Sequence, residues 1–194
     1  IVLCGPGNNG GDGVLIAQYL LKKNYSVDVN FPLGFPKTDD SKKALGLFAD
    51  KISIKEKILI EDYDLIVDAI FGVGFNREIN QKITFLFNEI NKTKAKVISI
   101  DMPSGVYTDN GQTNVAAIKA NITLTFHRYK PGQWLLPGKE HCGKVHVLDI
   151  DLFNLDDECS LKLNYPSYSL TPSLKDHKFL RGSCFIVAGE NLIG

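Results

Sequence analysis

The sequence carries no excess of either charge: 22 Lys and Arg stand against 22 Asp and Glu in 194 residues. That balance removes the basic stripe of a nucleic-acid-binding domain, so no nucleic acid is expected as a partner. No apolar run approaches the roughly 20 residues that cross a bilayer, and no membrane association is expected. Cysteine is sparse. Cys4, Cys142, Cys159 and Cys184 show no C-x-x-C spacing and no density of a disulfide framework, which predicts reduced thiols in a cytoplasmic setting. No His/Cys cluster offers ligands for a transition metal, and there is no internal repeat.

What the chain does have is alternation. Strand and helix signals follow one another as parallel βα units do. Strands are expected at residues 1–4, 26–31, 51–54, 64–71, 96–100, 121–127 and 144–150. The run DLIVDAIF suits a strand buried on both faces. Helices are expected after Gly13, from a cap at Asp40 or Ser41, and ahead of Lys92. The fold class is therefore α/β: a Rossmann-like, doubly wound, mostly parallel sheet in three αβα layers. The chain begins at Ile1 without methionine and changes character after Asp151, so it reads as part of a longer protein.

Three loops carry the chemistry. The first, Gly5-Pro6-Gly7-Asn8-Asn9-Gly10-Gly11-Asp12-Gly13, follows a strand and opens a helix, the context in which G-x-G-x-x-G cradles phosphate. Asn8, Asn9 and Asp12 are surplus to such a cradle. The second is Gly72-Val73-Gly74-Phe75-Asn76-Arg77-Glu78, just beyond Asp68. The third, Asp101-Met102-Pro103-Ser104-Gly105, ends the strand KVISI. In strand order 3-2-1-4-5-6 these loops meet at the crevice between strands one and four. Their oxygen-rich set suits alkali or alkaline-earth cations. A dehydrogenase of this fold needs an acid at the end of strand two to hold a ribose; here that strand ends Asn30-Phe31-Pro32, with Asp28 inside it. An ordinary hydride-carrying cofactor is disfavoured. The segment His127-Arg128-Tyr129-Lys130 reads as a solvated strand end, and His141, His146 and Trp134 as packing or surface residues.

GPGNNGGDG at residues 5–13, DAIFGVGF at 68–75 and DMPSG at 101–105 resemble the YjeF N-terminal family. Weaker support comes from ANITLTF at 120–126 followed by Lys130 and Gly132. The enzymatic members of that family are NAD(P)H-hydrate epimerases. The resemblance implies an isomerase that interconverts the R and S forms of hydrated NADH or NADPH. It implies substrate contacts from Asn8, Asn9, Gly10, Gly11, Asp12, residues 72–78 and Asp101, and a potassium ion (K+) held by Asn9, Asp68 and Ser104. Val73 and Phe75 depart from the threonine and leucine common in the family. The family's N-terminal helical segment has no counterpart here, and a homodimer is expected. Residues 1–152 would form the epimerase domain and 153–172 a linker. Residues 173–194 would open a truncated, ribokinase-like, ADP-dependent dehydratase domain, with His177, Lys178 and Gly182 in its opening pattern.

The stereocentre of such a substrate is a hemiaminal carbon bearing both ring nitrogen and hydroxyl. Its inversion needs a proton moved on or off oxygen, so a positioned carboxylate is the expected catalyst. Asp101 and Asp68 are the candidates. The competing readings are a noncatalytic protein- or nucleotide-binding module of the apolipoprotein A-I-binding type and a Rossmann oxidoreductase.

Overall fold

The computed structural model describes residues 1–152 and Leu163. The expected linker and the start of a second domain lie outside the described residues. Seven strands form one sheet: β1 (Val2–Cys4), β2 (Asp28–Asn30), β3 (Ser53–Ile54), β4 (Leu65–Ala69), β5 (Lys96–Ile100), β6 (Ile122–Phe126) and β7 (Lys144–Leu148). Their order is β3-β2-β1-β4-β5-β6-β7, and every pairing is parallel. The expected order is extended by β7. Helices α1 (Asn8–Lys22), α2 (Asp39–Phe48), α3 (Gln81–Lys92) and the short α4 (Lys139–Cys142), with three 3-10 turns at Ala49–Lys51, Ile60–Asp62 and Pro131–Gln133, complete the elements.

Alternation along the central strands separates two cores. Leu3, Ile66 and Ile70 join Ile83, Phe87 and Ile90 of α3 on one face. Val2, Cys4, Val67 and Ala69 join Val14 and Ala17 of α1 and Ala44 of α2 on the other. Successive strand residues point to opposite faces, so a strand covered on both must be apolar throughout. β4 meets that demand except at Asp68, which is fully buried.

Two boundaries differ from expectation, for physical reasons. Asn8–Asp12 is not a loop but the opening of α1. Asn and Gly are poor helix formers, yet the site leaves room for nothing larger. A Cβ on Gly10 would lie 1.8 Å from the Gly5 carbonyl oxygen, and one on Gly13 would lie 2.7 Å from Ala69 Cβ. These glycines let the helix start sit directly on the β1 turn and β4. Likewise α2 is entered at Thr38 rather than at Asp40 or Ser41, and Thr38 does not cap its own helix. Its hydroxyl turns to the Asn8 side chain and to Ser41 Oγ.

The connection between β5 and β6, residues 101–121, contains no helix, only an isolated antiparallel bridge between Val106 and Thr113. It runs over the carboxyl edge of the sheet, where a ligand site of a doubly wound fold lies.

Candidate functional site

The ends of β1, β4 and β5 and the loops that leave them enclose a cleft of about 600 Å3. Asn8, Asn9 and Asp12 enter from the first turns of α1, Gly72, Val73, Gly74, Phe75, Asn76 and Arg77 from the loop after β4, and Asp101 from the end of β5. The three loops singled out in the sequence thus share one wall. Gly10 and Gly11 do not reach it, being packed beneath the turn, and Glu78 lines a smaller side pocket with Lys37, Asn80 and Ile83.

The floor is held from below by a single buried carboxylate. Asp68 accepts four hydrogen bonds: Ser104 Oγ (2.6 Å) and Ile70 N (3.3 Å) at Oδ1, Ser99 Oγ (2.8 Å) and Ser104 N (2.9 Å) at Oδ2. Ser104 Oγ in turn accepts from Phe71 N at 2.9 Å. This lattice ties the loop after β5 to the loop after β4. Burial pushes the Asp68 carboxyl above its usual range, and the donors from Ser104, Ser99 and Ile70 pull it partly back. With no exposed surface and both oxygens engaged, Asp68 stands behind the cleft. It is not among the residues that line the cleft.

Asp101 is placed differently. It lies one residue past β5 in the left-handed region, at φ +67°, a conformation that carries about 1–3 kcal/mol of strain and persists only where surroundings enforce it. They do. Its amide donates to Leu124 O (2.7 Å), and its carbonyl accepts from Gln133 Nε2 (2.9 Å). Oδ2 accepts from Val73 N at 3.1 Å, and Oδ1 from Thr125 Oγ1 at 3.3 Å. Lys130 Nζ lies 2.9 Å from Oδ1 and also donates to Thr125 Oγ1 (2.8 Å) and Phe126 O (2.7 Å).

Within residues 127–130, read as a solvated end, Arg128 and Tyr129 are exposed, but Lys130 is not. Its side chain is only 17% exposed, and it forms an ion pair with Asp101. The sequence signal was its place after ANITLTF in the family resemblance, but nothing local marked its partner. Two further groups escaped sequence reasoning. Asn114 Nδ2 donates to Arg77 O (3.1 Å) and Thr108 Oγ1 to Val73 O (3.0 Å), so the long β5–β6 connection fixes the loop after β4. Lys37 and Thr38 line the cleft from the loop before α2, fastened by Lys37 N to Pro6 O at 2.8 Å.

The helix start in the cleft has the groups that suit an anion. The N-cap of α1 is Gly7, which offers no side-chain cap, and the N–H groups of a first turn have no partner within their helix. Arg77 stacks over Phe71 at 5.4 Å, and Phe75 lies between Phe71 (4.5 Å) and Tyr107 (5.3 Å). An acid at the end of β2 is lacking in space as in sequence. Asn30 is turned onto Lys55 O (2.7 Å), and Asp28 accepts from Tyr63 OH (3.0 Å). A second depression of about 450 Å3 lies between the turn before β4 and the end of α3. Its Lys92 and Glu89 pair with each other at 2.8 Å.

The chain is 34% identical over 203 residues to the bifunctional NAD(P)H-hydrate repair enzyme Nnr of Dictyoglomus turgidum, covering 97% of this chain and 40% of that one. It is 34% identical over 161 residues to the NAD(P)H-hydrate epimerase of Levilactobacillus brevis, covering 80% of this chain and 74% of that one. The chain thus spans about two fifths of the bifunctional relative and about three quarters of the shorter one. The crystal structure of the yeast protein ynu0, YNL200c, superposes with a TM-score of 0.60 at 26% identity, covering 68% of this chain and 59% of that one. The family model described as YjeF-related protein N-terminus matches residues 1–132, and the chain belongs to that family.

Proposed function

We propose that the chain is an NAD(P)H-hydrate epimerase, an isomerase that interconverts the R and S hydrates of NADH and NADPH in repair of the damaged cofactor. Its similarity to relatives bearing that name supports the reading. The observation that carries it is Asp101: a carboxylate held by an ion pair and a strained backbone on the wall of a cleft beside the first turn of α1. Inverting the hemiaminal requires proton transfer at its oxygen, and a positioned carboxylate contributes about 10²–10⁴-fold to such a step. The uncapped start of α1, with Lys37 and Arg77 on the rim, suits the phosphates of a dinucleotide.

Asn9, Asp68 and Ser104 would hold a potassium ion. The set is all oxygen with one carboxylate, which fits a hard cation. The Asn9 amide nitrogen is anchored on Ile100 O (3.2 Å), leaving its oxygen available. When bound, the ion supplies positive charge that orients substrate oxygens. The domain reading is carried as part of this proposal: residues 1–152 as the epimerase unit, 153–172 as linker, and 173 onward as the opening of a dehydratase domain. A match spanning 97% of the chain to a bifunctional relative supports it. A homodimer and a cytoplasmic setting belong to the same reading; among the described residues no helix is long and apolar enough to cross a membrane.

The test is direct. The protein is incubated with a purified R or S hydrate, with and without potassium, and the epimer ratio is followed by chromatography. Equilibration faster than the uncatalysed reaction, accelerated by potassium, is expected. Oxidation of the nicotinamide would favour an oxidoreductase, and unchanged spontaneous kinetics would leave only a binding module.

A further inference from the structure

We propose that Asp12 is a second catalytic residue, the proton donor that complements Asp101 across the cleft. The inference rests on the epimerase reading and deepens it. Both carboxyl groups line the same cavity, one from α1 and one from the end of β5. Their surroundings are opposite. Asp101 is bound by Lys130, Thr125 and Val73 N. The Asp12 carboxyl group makes no hydrogen bond or ion pair with any described residue, and it lies beyond the first turn of α1, the turn where an acid serves as a cap or dipole partner. A half-buried carboxyl group without a structural task, in the one cleft where the loops converge, is available for chemistry. Burial first, and then the nearby charge of Asp101, push the Asp12 carboxyl above its usual range. A carboxyl group raised in this way keeps its proton to higher pH, the state a proton donor needs.

The other charged groups around Asp12 leave this assignment intact. Lys37 and Arg77 stand on the cleft rim. On α2, packed against α1, Asp39 pairs with Lys42 at 3.9 Å and Asp40 with Lys43 at 3.7 Å. Beneath α1, Asp68 is enclosed by its donors, and the Cys4 thiol is pushed up to about 12 by burial. Lys130 is engaged by Asp101.

In the reaction, the Asp12 carboxyl gives its proton to the hemiaminal hydroxyl. The carbon–oxygen bond breaks, the ring-nitrogen lone pair forms the iminium double bond, and water leaves. Water then adds to the opposite face, and the proton it releases passes to Asp101. Proton exchange through cleft water restores Asp12 acid and Asp101 base. Nothing is oxidised or reduced, and the product differs only in configuration.

The experiment compares the full chain with Asp12→Asn and Asp12→Glu. It reads kcat and KM for each hydrate over a range of pH, and NADP+ binding by calorimetry. Asp12→Asn is expected to lose about 100-fold or more in kcat, with KM within about threefold, NADP+ binding retained and the alkaline fall of the wild-type rate abolished. Asp12→Glu should restore part of the rate. Folding is monitored independently. A carboxyl group whose folded-state pKa is raised contributes stability that is complete below the ordinary aspartate value of 3.8 and is lost as pH rises through the raised value. Asn mimics the protonated form, so the variant should melt at or above the wild-type temperature at pH 7, with no such gain near pH 3. A kcat within about threefold of wild type, or a loss confined to KM, overturns the catalytic role and leaves substrate binding. Absence of wild-type acceleration would instead overturn the epimerase reading, and this inference with it.

Discussion

At the scale of single residues, the decisive contact is Lys130 on Asp101. A carboxylate that is 11% exposed needs a cation beside it, and removal of one partner from a buried pair leaves an uncompensated charge. Lys130→Met is expected to lower stability by about 3 kcal/mol, read as a shift of the urea midpoint, and to reduce epimerisation because Asp101 is no longer held. The double variant Lys130→Met with Asp101→Asn should be more stable than Lys130→Met alone, because both charges are then gone. Equal stability of the two variants would show that the pair does not couple. Ser104 is the second pivotal residue. Its hydroxyl accepts from Phe71 N and donates to Asp68, so one side chain joins two loops.

At the scale of elements, the opening of α1 is shaped more by what it packs against than by its own propensity. Gly10→Ala would force a methyl group onto a backbone carbonyl that cannot rotate away. A loss on the order of 3 kcal/mol is expected, at the upper end of overpacking penalties. Gly46→Ala is the contrast. It lies inside α2 with nothing within 4 Å of its would-be Cβ, so it should gain about 0.5–1 kcal/mol from helix propensity. Thermal unfolding of the two variants checks both signs; a Gly10→Ala variant as stable as wild type would mean the helix start is not so close to the β1 turn. The same contacts explain why residues 8–12 looked like a loop in the sequence: Asn and Gly disfavour helix locally, and only burial against β1, β4 and α2 overrides them.

At the scale of the whole molecule, two apolar layers clamp a parallel sheet whose functional groups gather at one edge. Cys4 and Cys142 lie inside it with no exposed surface, and burial pushes both thiols up to about 12. Neither is expected to react with iodoacetamide at pH 8 until the protein unfolds, as peptide mass spectrometry would show; rapid native labelling of Cys4 would contradict the packing of α1 on β1. The order of strands and helices and the three chemistry-bearing loops were legible in the sequence, because period-two and period-3.6 patterns and glycine-rich turns are local signals. The sequence favoured Asp101 over Asp68 as acid or base only through the cation the family resemblance assigns to Asp68; locally both follow apolar strand residues and both precede a glycine by a few positions. Strand register separates them. Asp68 pairs beside Ser99 within the sheet and is sealed by Ser104, whereas Asp101 lies one step past β5 and turns outward. The sequence by itself determined which chemical groups are present and which edge they occupy. Only the tertiary structure decided which carboxylate faces the cleft and which lysine holds it, because burial and partnership are set by strands packed together from tens of residues apart.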